Sequence, residues 1–359
     1  MSWVLVIFGF MLLVILHELG HFSVAKLVGM RVEKFSLFFP PTLVSKKIGE
    51  TEYAIGAIPA GGYVKISGMN PDEELPEEVR DRAYHAQPVW KRIAVIAAGP
   101  LVNLVLALVL LFVFFAAIGQ TTATTKVGEI EKRYPAASVL KTGDRVVSVD
   151  GVRGGAGRIS RRIASHKCAA RPPTKGCKSA RPARLLVERD GQTVKVSARP
   201  IYDPAAKRTR LGFAYAPGPR EALSPGKAFT SSVNAFWFIT KQTAALPARI
   251  FNAEQRKEIS GVVGVSKVAS DTIKSDVADA VSLLAIVSLS LAIVNLFPFL
   301  PLDGGHIFWA VVEKIRRRPV SLAVMERAGV VGFILVIGLF ILGLTNDIGR
   351  LTGEGFQVR

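Results

Sequence analysis

Apolar residues in this chain fall into four long blocks separated by polar stretches. Residues 3–30 carry only Lys26 and the group His17, Glu18 and His21 as ionisable side chains. Residues 93–118 hold no charge over 26 positions, residues 280–302 none over 23, and residues 328–344 none over 17. A helix needs roughly 20 apolar residues to cross about 30 Å of hydrocarbon. The pattern therefore predicts four membrane-spanning helices, at 1–30, 93–118, 280–307 and 320–345. The first is expected to be retained rather than cleaved as a signal peptide, because nothing basic precedes it and no small-residue cleavage pattern closes it.

The polar stretches have patterns of their own. Residues 53–65 are rich in glycine and apolar side chains, with turn punctuation at Pro59 to Gly62, and read as a β-hairpin within a segment 31–92. Residues 127–130, 145–149, 185–189, 193–198 and 211–215 read as short strands, with Asp150-Gly151 and Asp190-Gly191 as turns. Farther on, Phe229, Val233, Phe236, Trp237 and Thr240 recur at helical spacing. They predict an amphipathic helix in a region 228–279, lying at the interface or packed on a soluble domain.

Composition adds a puzzle of charge. The 359 residues include 46 Lys and Arg against 28 Asp and Glu, a net +18, beside an apolar fraction of 50%. A basic excess alone would suggest nucleic acid or an anionic surface. Here it is local: residues 119–227 hold 23 basic and 8 acidic residues, whereas residues 31–92 balance nine against nine. No nucleic-acid partner is expected. Arg31, Lys34, Lys91, Arg92, Lys314 and Arg316 to Arg318 flank the spans consistently on one side, which is expected to be cytoplasmic. Long loops are translocated largely regardless of charge, so the basic loop is expected outside.

The first span contains His17-Glu18-Leu19-Gly20-His21. Residues four apart share a helix face, so both imidazoles can reach one metal ion, and Glu18 beside them can deprotonate a water that the metal activates. Buried core histidines are the bland alternative, but ionisable groups at membrane depth are costly and functional by default. A catalytic zinc takes three protein ligands, and nothing suitable follows His21 on its helix. The candidate is Asp303, at the end of Asn295-Leu296-Phe297-Pro298-Phe299-Leu300-Pro301-Leu302-Asp303-Gly304-Gly305-His306. Two prolines open the backbone before this single carboxylate, as expected of broken helix lining a site. A helix end at the interface is the alternative. A His2Asp set also leaves other metals open.

This pairing resembles the intramembrane site-2 proteases, which carry His-Glu-x-x-His on one span and Asn-x-x-Pro…Leu-Asp-Gly on a later one. More narrowly, the chain looks like the bacterial regulated-intramembrane-proteolysis branch. The run from Tyr134-Pro135-Ala136 to Val149-Asp150-Gly151 looks like a PDZ domain of bacterial proteases. The resemblance implies a polytopic α-helical membrane protein with four transmembrane helices, a membrane-dipping β-hairpin (about 51–66) and an extracytoplasmic α+β PDZ domain (124–217). It further implies one Zn2+ per chain on His17, His21 and Asp303, and Glu18 as general base and acid. Asn295 would lie near the substrate carbonyl or oxyanion, with Gly61 and Gly62 on a hairpin edge that pairs with substrate. Gly99-Pro100-Leu101-Val102-Asn103 also matches a family pattern, in which Asn103 helps order the site or bonds a neighbouring helix. One departure is that Pro298 and Pro301 stand three apart, where many members have Pro-x-Pro.

Implied substrates are single-span proteins such as anti-sigma factors already cut by a site-1 protease, or remnant signal peptides, in a bacterial inner membrane with the active site toward the cytoplasm. A catalytically silent, membrane-anchored PDZ scaffold is the competing reading, disfavoured by the complete polar cluster. Within a basic insertion at 159–184 stand Cys168 and Cys177, either a disulfide on the oxidising side or two free thiols.

Overall fold

A computed structural model describes residues 2–352 apart from 71–72, 169, 171, 175, 205, 207, 257–258, 276–277 and 319. The chain divides into two units, Met1–Ala117 with Leu223–Arg359, and Ile118–Ala222. It opens with helix α1 (Ser2–Leu27), followed by strands β1 (Val32–Ile48) and β2 (Thr51–Ile66), a short helix α2 (Glu77–Arg80) and helix α3 (Val89–Val113), which passes through a wide turn at Phe114–Ile118. The inserted unit contains β3 (Gln120–Ile130), β4 (Arg145–Val149), β5 (Val152–Arg153), α4 (Ala156–Ala164), β6 (Ala183–Arg189), β7 (Gln192–Ala198), β8 (Ile201–Asp203), β9 (Arg208–Arg210) and β10 (Phe213–Glu221). The first unit resumes with α5 (Pro225–Ala244), the short α6 (Leu246–Ile250) and α7 (Ala253–Arg256), α8 (Val262–Ser275), α9 (Asp279–Asn295), α10 (Asp303–Arg316) and α11 (Leu322–Thr352).

Among the described residues, three helices are long and apolar enough to cross a membrane: Ile7–Leu27, Val89–Ile118 and Ala323–Thr352. The expected span at 280–307 is not one helix. Asp279–Asn295 is apolar but only 17 residues long, and residues 296–302, with Pro298 and Pro301, separate it from α10. Proline removes a donor and clashes with the preceding turn, so Asp303 opens a new helix instead of closing the old one. Gly304 and Gly305 make the junction compact, since a Cβ on either would strike the backbone of residues 296–299.

The hairpin region reverses more than once. One turn lies at Gly49-Glu50, where Gly49 has φ 62°, and the expected change of direction at Pro59 to Gly62 falls within the long β2. Both strands are long and irregularly registered: Lys34 to Leu37 face Glu52 to Ile55 as well as Gly62 to Lys65, while Val44 to Ile48 face Thr51 to Ile55. Lys34 to Leu37 run parallel to Glu52 to Ile55 and antiparallel to Gly62 to Lys65, so the chain changes direction between Ile55 and Gly62, at the glycine-proline punctuation, and Gly62 to Lys65 form an outer edge.

In the inserted unit, β10, β3, β4, β6 and β7 form an antiparallel sheet in that order, with β5 pairing β4. Val127, Val146, Val149, Leu185 and Val187 bury one face of it against Ile159 and Ile163 of α4. Ile159 and Ile163 stand four apart and share a face, which leaves Arg158, Arg161 and Arg162 outward. This helix occupies the start of what reads in the sequence as a basic insertion. Asp150 and Asp190 adopt positive φ (49° and 50°) before glycines, forming the expected turns. The five sequence-read strands correspond to β3, β4, β6, β7 and β10, while β5, β8 and β9 are too short to show a pattern.

Helix α5 covers the expected amphipathic stretch, but with its faces reversed from a core helix. Ala228, Ser232 and Thr243 are buried, and Phe229, Val233 and Trp237 are exposed. It packs on α3 and α9 through small side chains.

Candidate metal centre

His17 and His21 lie one turn apart on α1, both nearly fully buried. Asp303, at the start of α10, reaches them across 286 residues of sequence. Its Oδ2 is 3.2 Å from His17 Nε2 and 3.4 Å from His21 Nε2, and the two Nε2 atoms are 3.2 Å apart. Three acceptors in so tight a triangle cannot all be satisfied by each other's protons. A tetrahedron with zinc–ligand distances of about 2.0–2.1 Å has edges of about 3.3–3.4 Å, so the donor set fits zinc without rearrangement. Among the described residues this is the only such cluster of metal-ligating side chains.

The surrounding groups fix which nitrogen faces inward. His21 Nδ1 donates to the Val95 carbonyl at 2.8 Å, leaving the Nε2 lone pair for a metal. His17 Nδ1 lies 3.3 Å from Asn103 Nδ2, while the fully buried Asn103 Oδ1 has no partner. With the amide turned over, Oδ1 accepts from His17 Nδ1–H, which orients the second imidazole in the same way. Ser288 Oγ donates to the Asn103 carbonyl at 2.9 Å, joining α9 to this network. Asn103 thus belongs beside the ligands.

Gly99 on α3 is the site residue that pattern reading passes over. A Cβ there would fall on His21 Nε2 and His17 Nε2, so only glycine lets α3 cross the imidazoles while leaving their nitrogens free. The motif around it was legible, but not its role. Gly20 serves the same crossing from α1, where a Cβ would meet the Ala98 carbonyl at 2.7 Å. Arg92, at the start of α3, holds Glu313 of α10 through two hydrogen bonds of 2.9 and 2.7 Å. This ion pair ties the helix that begins at Asp303 to the one that carries Gly99.

Glu18 stands next to His17 on α1, close to both imidazoles and Asp303. With Phe10, Met11, Val14 and Ile15 it lines an apolar pocket closed by Leu37, Phe38, Pro59, Gly61 and Gly62. A Cβ at Gly62 would come 3.1 Å from Glu18 Cγ and 2.9 Å from the Ser36 carbonyl, and one at Gly61 would strike the Phe39 ring. The two glycines therefore let the hairpin pass against the carboxylate. Asn295 ends α9 half-buried, and among the described residues it makes no hydrogen bond to His17, Glu18, His21 or Asp303. Cys168 and Cys177 form a disulfide in the inserted unit.

The sequence profile of Peptidase family M50 matches residues 5–339. The chain belongs to that family. Zinc metalloprotease Rip1 of Mycobacterium bovis is 32% identical over 395 residues, covering 93% of this chain and 94% of its own, and Rip1 of Mycobacterium tuberculosis matches to the same extent. A Brucella suis protein, whose name assigns it provisionally to the zinc metalloproteases, is 32% identical over 367 residues, covering 95% and 93%. This M50 protein is accordingly a membrane-associated zinc metalloendopeptidase of the site-2 type, with apolar helices and a mixed helix and sheet content.

Proposed function

We propose that this M50 protease hydrolyses peptide bonds within the membrane-spanning segments of other proteins, with one zinc per chain held by His17, His21 and Asp303. The observation that carries this reading is the convergence of the three donor atoms within 3.4 Å of one another on helices of an apolar unit. Bound zinc would supply Lewis acidity to the scissile carbonyl and lower the pKa of water at the site.

The chain's own residues account for the rest. Glu18 takes a proton from the attacking water and returns it to the leaving amine. Asn103 and the Val95 carbonyl hold the imidazole tautomers. The edge at Gly62 to Lys65 receives an unwound substrate as an added strand. That step answers a physical need, because a helix hides its carbonyls in internal hydrogen bonds until it is opened. Asn295 meets the oxyanion once substrate is seated.

The same reading makes α9 with the 296–302 break and α10 a fourth, discontinuous crossing. Irregular backbone at that depth is tolerated where protein buries it. It reads the inserted unit as an extracytoplasmic PDZ domain in a bacterial inner membrane, with the active site toward the cytoplasm and α5 laying its exposed Phe229, Val233 and Trp237 against lipid. The substrates are single-span proteins such as anti-sigma factors shortened by a first protease, or remnant signal peptides.

Reconstituted protein tests the assignment. Wild type is expected to cleave a model membrane span and carry one zinc, and Glu18→Gln to keep the zinc while losing cleavage. Equal cleavage by both would remove Glu18 from the mechanism.

A further inference from the structure

The inserted unit carries a charge asymmetry that proteolysis does not use. Between Asp150 and Glu188, residues 151–187 contain seven arginines and three lysines and no acidic residue. The fold gathers several of the described ones. Helix α4 buries Ile159 and Ile163 and turns Arg158 and Arg161 outward. The loop after it doubles back on itself: Cys168 bridges Ser179, the Ala180 amide donates to the Lys167 carbonyl at 3.2 Å, and the disulfide closes the loop. Lys167, Lys178 and Arg181 are therefore carried on one short ladder at the end of α4. Arg184 joins them through Asp150, whose amide donates to the Arg184 carbonyl and whose carboxylate accepts from the Arg184 amide and holds Arg162 and His166.

Elsewhere in this unit several cations are answered. Arg189 pairs with Asp144, Arg210 with Glu131 and Arg145 with Glu188. By contrast, among the described residues, Arg158, Arg161, Lys167, Lys178, Arg181 and Arg184 are all exposed and lie in no ion pair. Exposed, unpaired guanidinium groups fixed on a folded surface suit phosphate, which they can bind with two parallel hydrogen bonds. The unit also begins at Ile118, the residue at which the apolar helix Val89–Ile118 ends. Its tether alone keeps it within reach of lipid headgroups.

We propose that the α4 face and its disulfide-closed loop form a docking surface for the anionic phospholipid headgroups of the membrane that the chain's own helices occupy. Each basic residue close to an anionic bilayer strengthens such binding by about fivefold, within a Debye length of about 10 Å at 0.1 M salt. The surface sets how the inserted unit lies on the bilayer, and it is independent of the metal site.

Hydrogen exchange on the full chain in nanodiscs tests this. Discs of phosphatidylcholine alone are compared with discs containing about one-third phosphatidylglycerol. Amides of residues 156–184 are expected to exchange at least threefold more slowly in the anionic discs, and the difference to vanish in 0.5 M salt. R158E/R161E/R181E is expected to abolish the protection, and R158K/R161K/R181K to keep most of it, with strands β3, β4, β6 and β7 equally protected in all. Should the charge reversal disturb those strands, R158Q/R161Q/R181Q replaces it with the same expectation. Equal exchange in the two discs, or undiminished protection in the reversed variant, overturns the proposal. So does protection by dissolved polyphosphate in neutral discs with none from phosphatidylglycerol, which would assign the face to a soluble polyanion.

Discussion

Each of the two units buries a carboxylate among nitrogens, and the two environments differ in kind. Asp144, 2% exposed in the inserted unit, accepts hydrogen bonds from Arg189 Nε and Nη2 at 2.8 and 2.7 Å and from the Lys141 amide at 2.8 Å. The Arg189 guanidinium holds its carboxyl below the usual range. Asp303 instead turns one oxygen toward two imidazole nitrogens that also face each other, at distances of 3.2–3.4 Å. At Asp144 the protein supplies the cation and the charge is closed. At the metal centre the protein supplies only acceptors, and the missing positive charge must come from outside. An incomplete cluster inside a well-packed unit is thus the structural mark of function, whereas a complete one marks stability.

That contrast can be broken by mutation. The largest effect is expected from Glu18→Gln: cleavage of a model span should fall about 10²–10⁴-fold, with zinc content by metal analysis and the melting of the inserted unit unchanged. Gly99→Val should empty the metal site, because its Cβ falls where the imidazole nitrogens converge. Zinc stoichiometry is expected to drop well below one per chain, and a fully loaded variant would refute the packing argument. On the other side of the comparison, Arg189→Gln leaves Asp144 buried without its counter-charge. Denaturation of the inserted unit should show a clear loss of stability, at unaltered zinc content.

A smaller effect separates surface from interior charge. Arg82 and then Lys26 hold the Glu50 carboxyl down to about 2. A depressed carboxylate stabilises the fold above its unfolded value near 4.5 and ceases to do so as pH falls toward 2. Because the pair is partly exposed, the loss should be about 1 kcal/mol and weaken with salt. Comparing wild type with Glu50→Gln in acid titrations of stability checks it, the variant showing the smaller pH dependence in that window.

Much of the metal centre was legible in the sequence, since a helix fixes the relation of residues four apart and a carboxylate after two prolines in an apolar run has little other reason to be there. What was not legible depended on contacts between elements. Gly99 reads as one glycine among several until α3 crosses α1. Pro59 to Gly62 read as a turn, and the chain does change direction there, but only the strand pairing shows the further reversal at Gly49-Glu50. Helix α4 was hidden because its apolar face consists of little more than Ile159 and Ile163 amid arginines. The third apolar block looked like one span because hydropathy records composition and not backbone continuity.

The sequence by itself determined the chemistry: two imidazoles and a carboxylate at helical spacing, a distant aspartate, apolar blocks long enough for a membrane, and a basic segment between them. These are local properties, set by periodicity and residue type. Tertiary structure alone decided that Asp303 closes the triangle from 286 positions away, that glycines leave its centre open, and that the arginines of α4 and its loop share one surface. Those outcomes depend on which backbones approach which, and no local pattern encodes that approach.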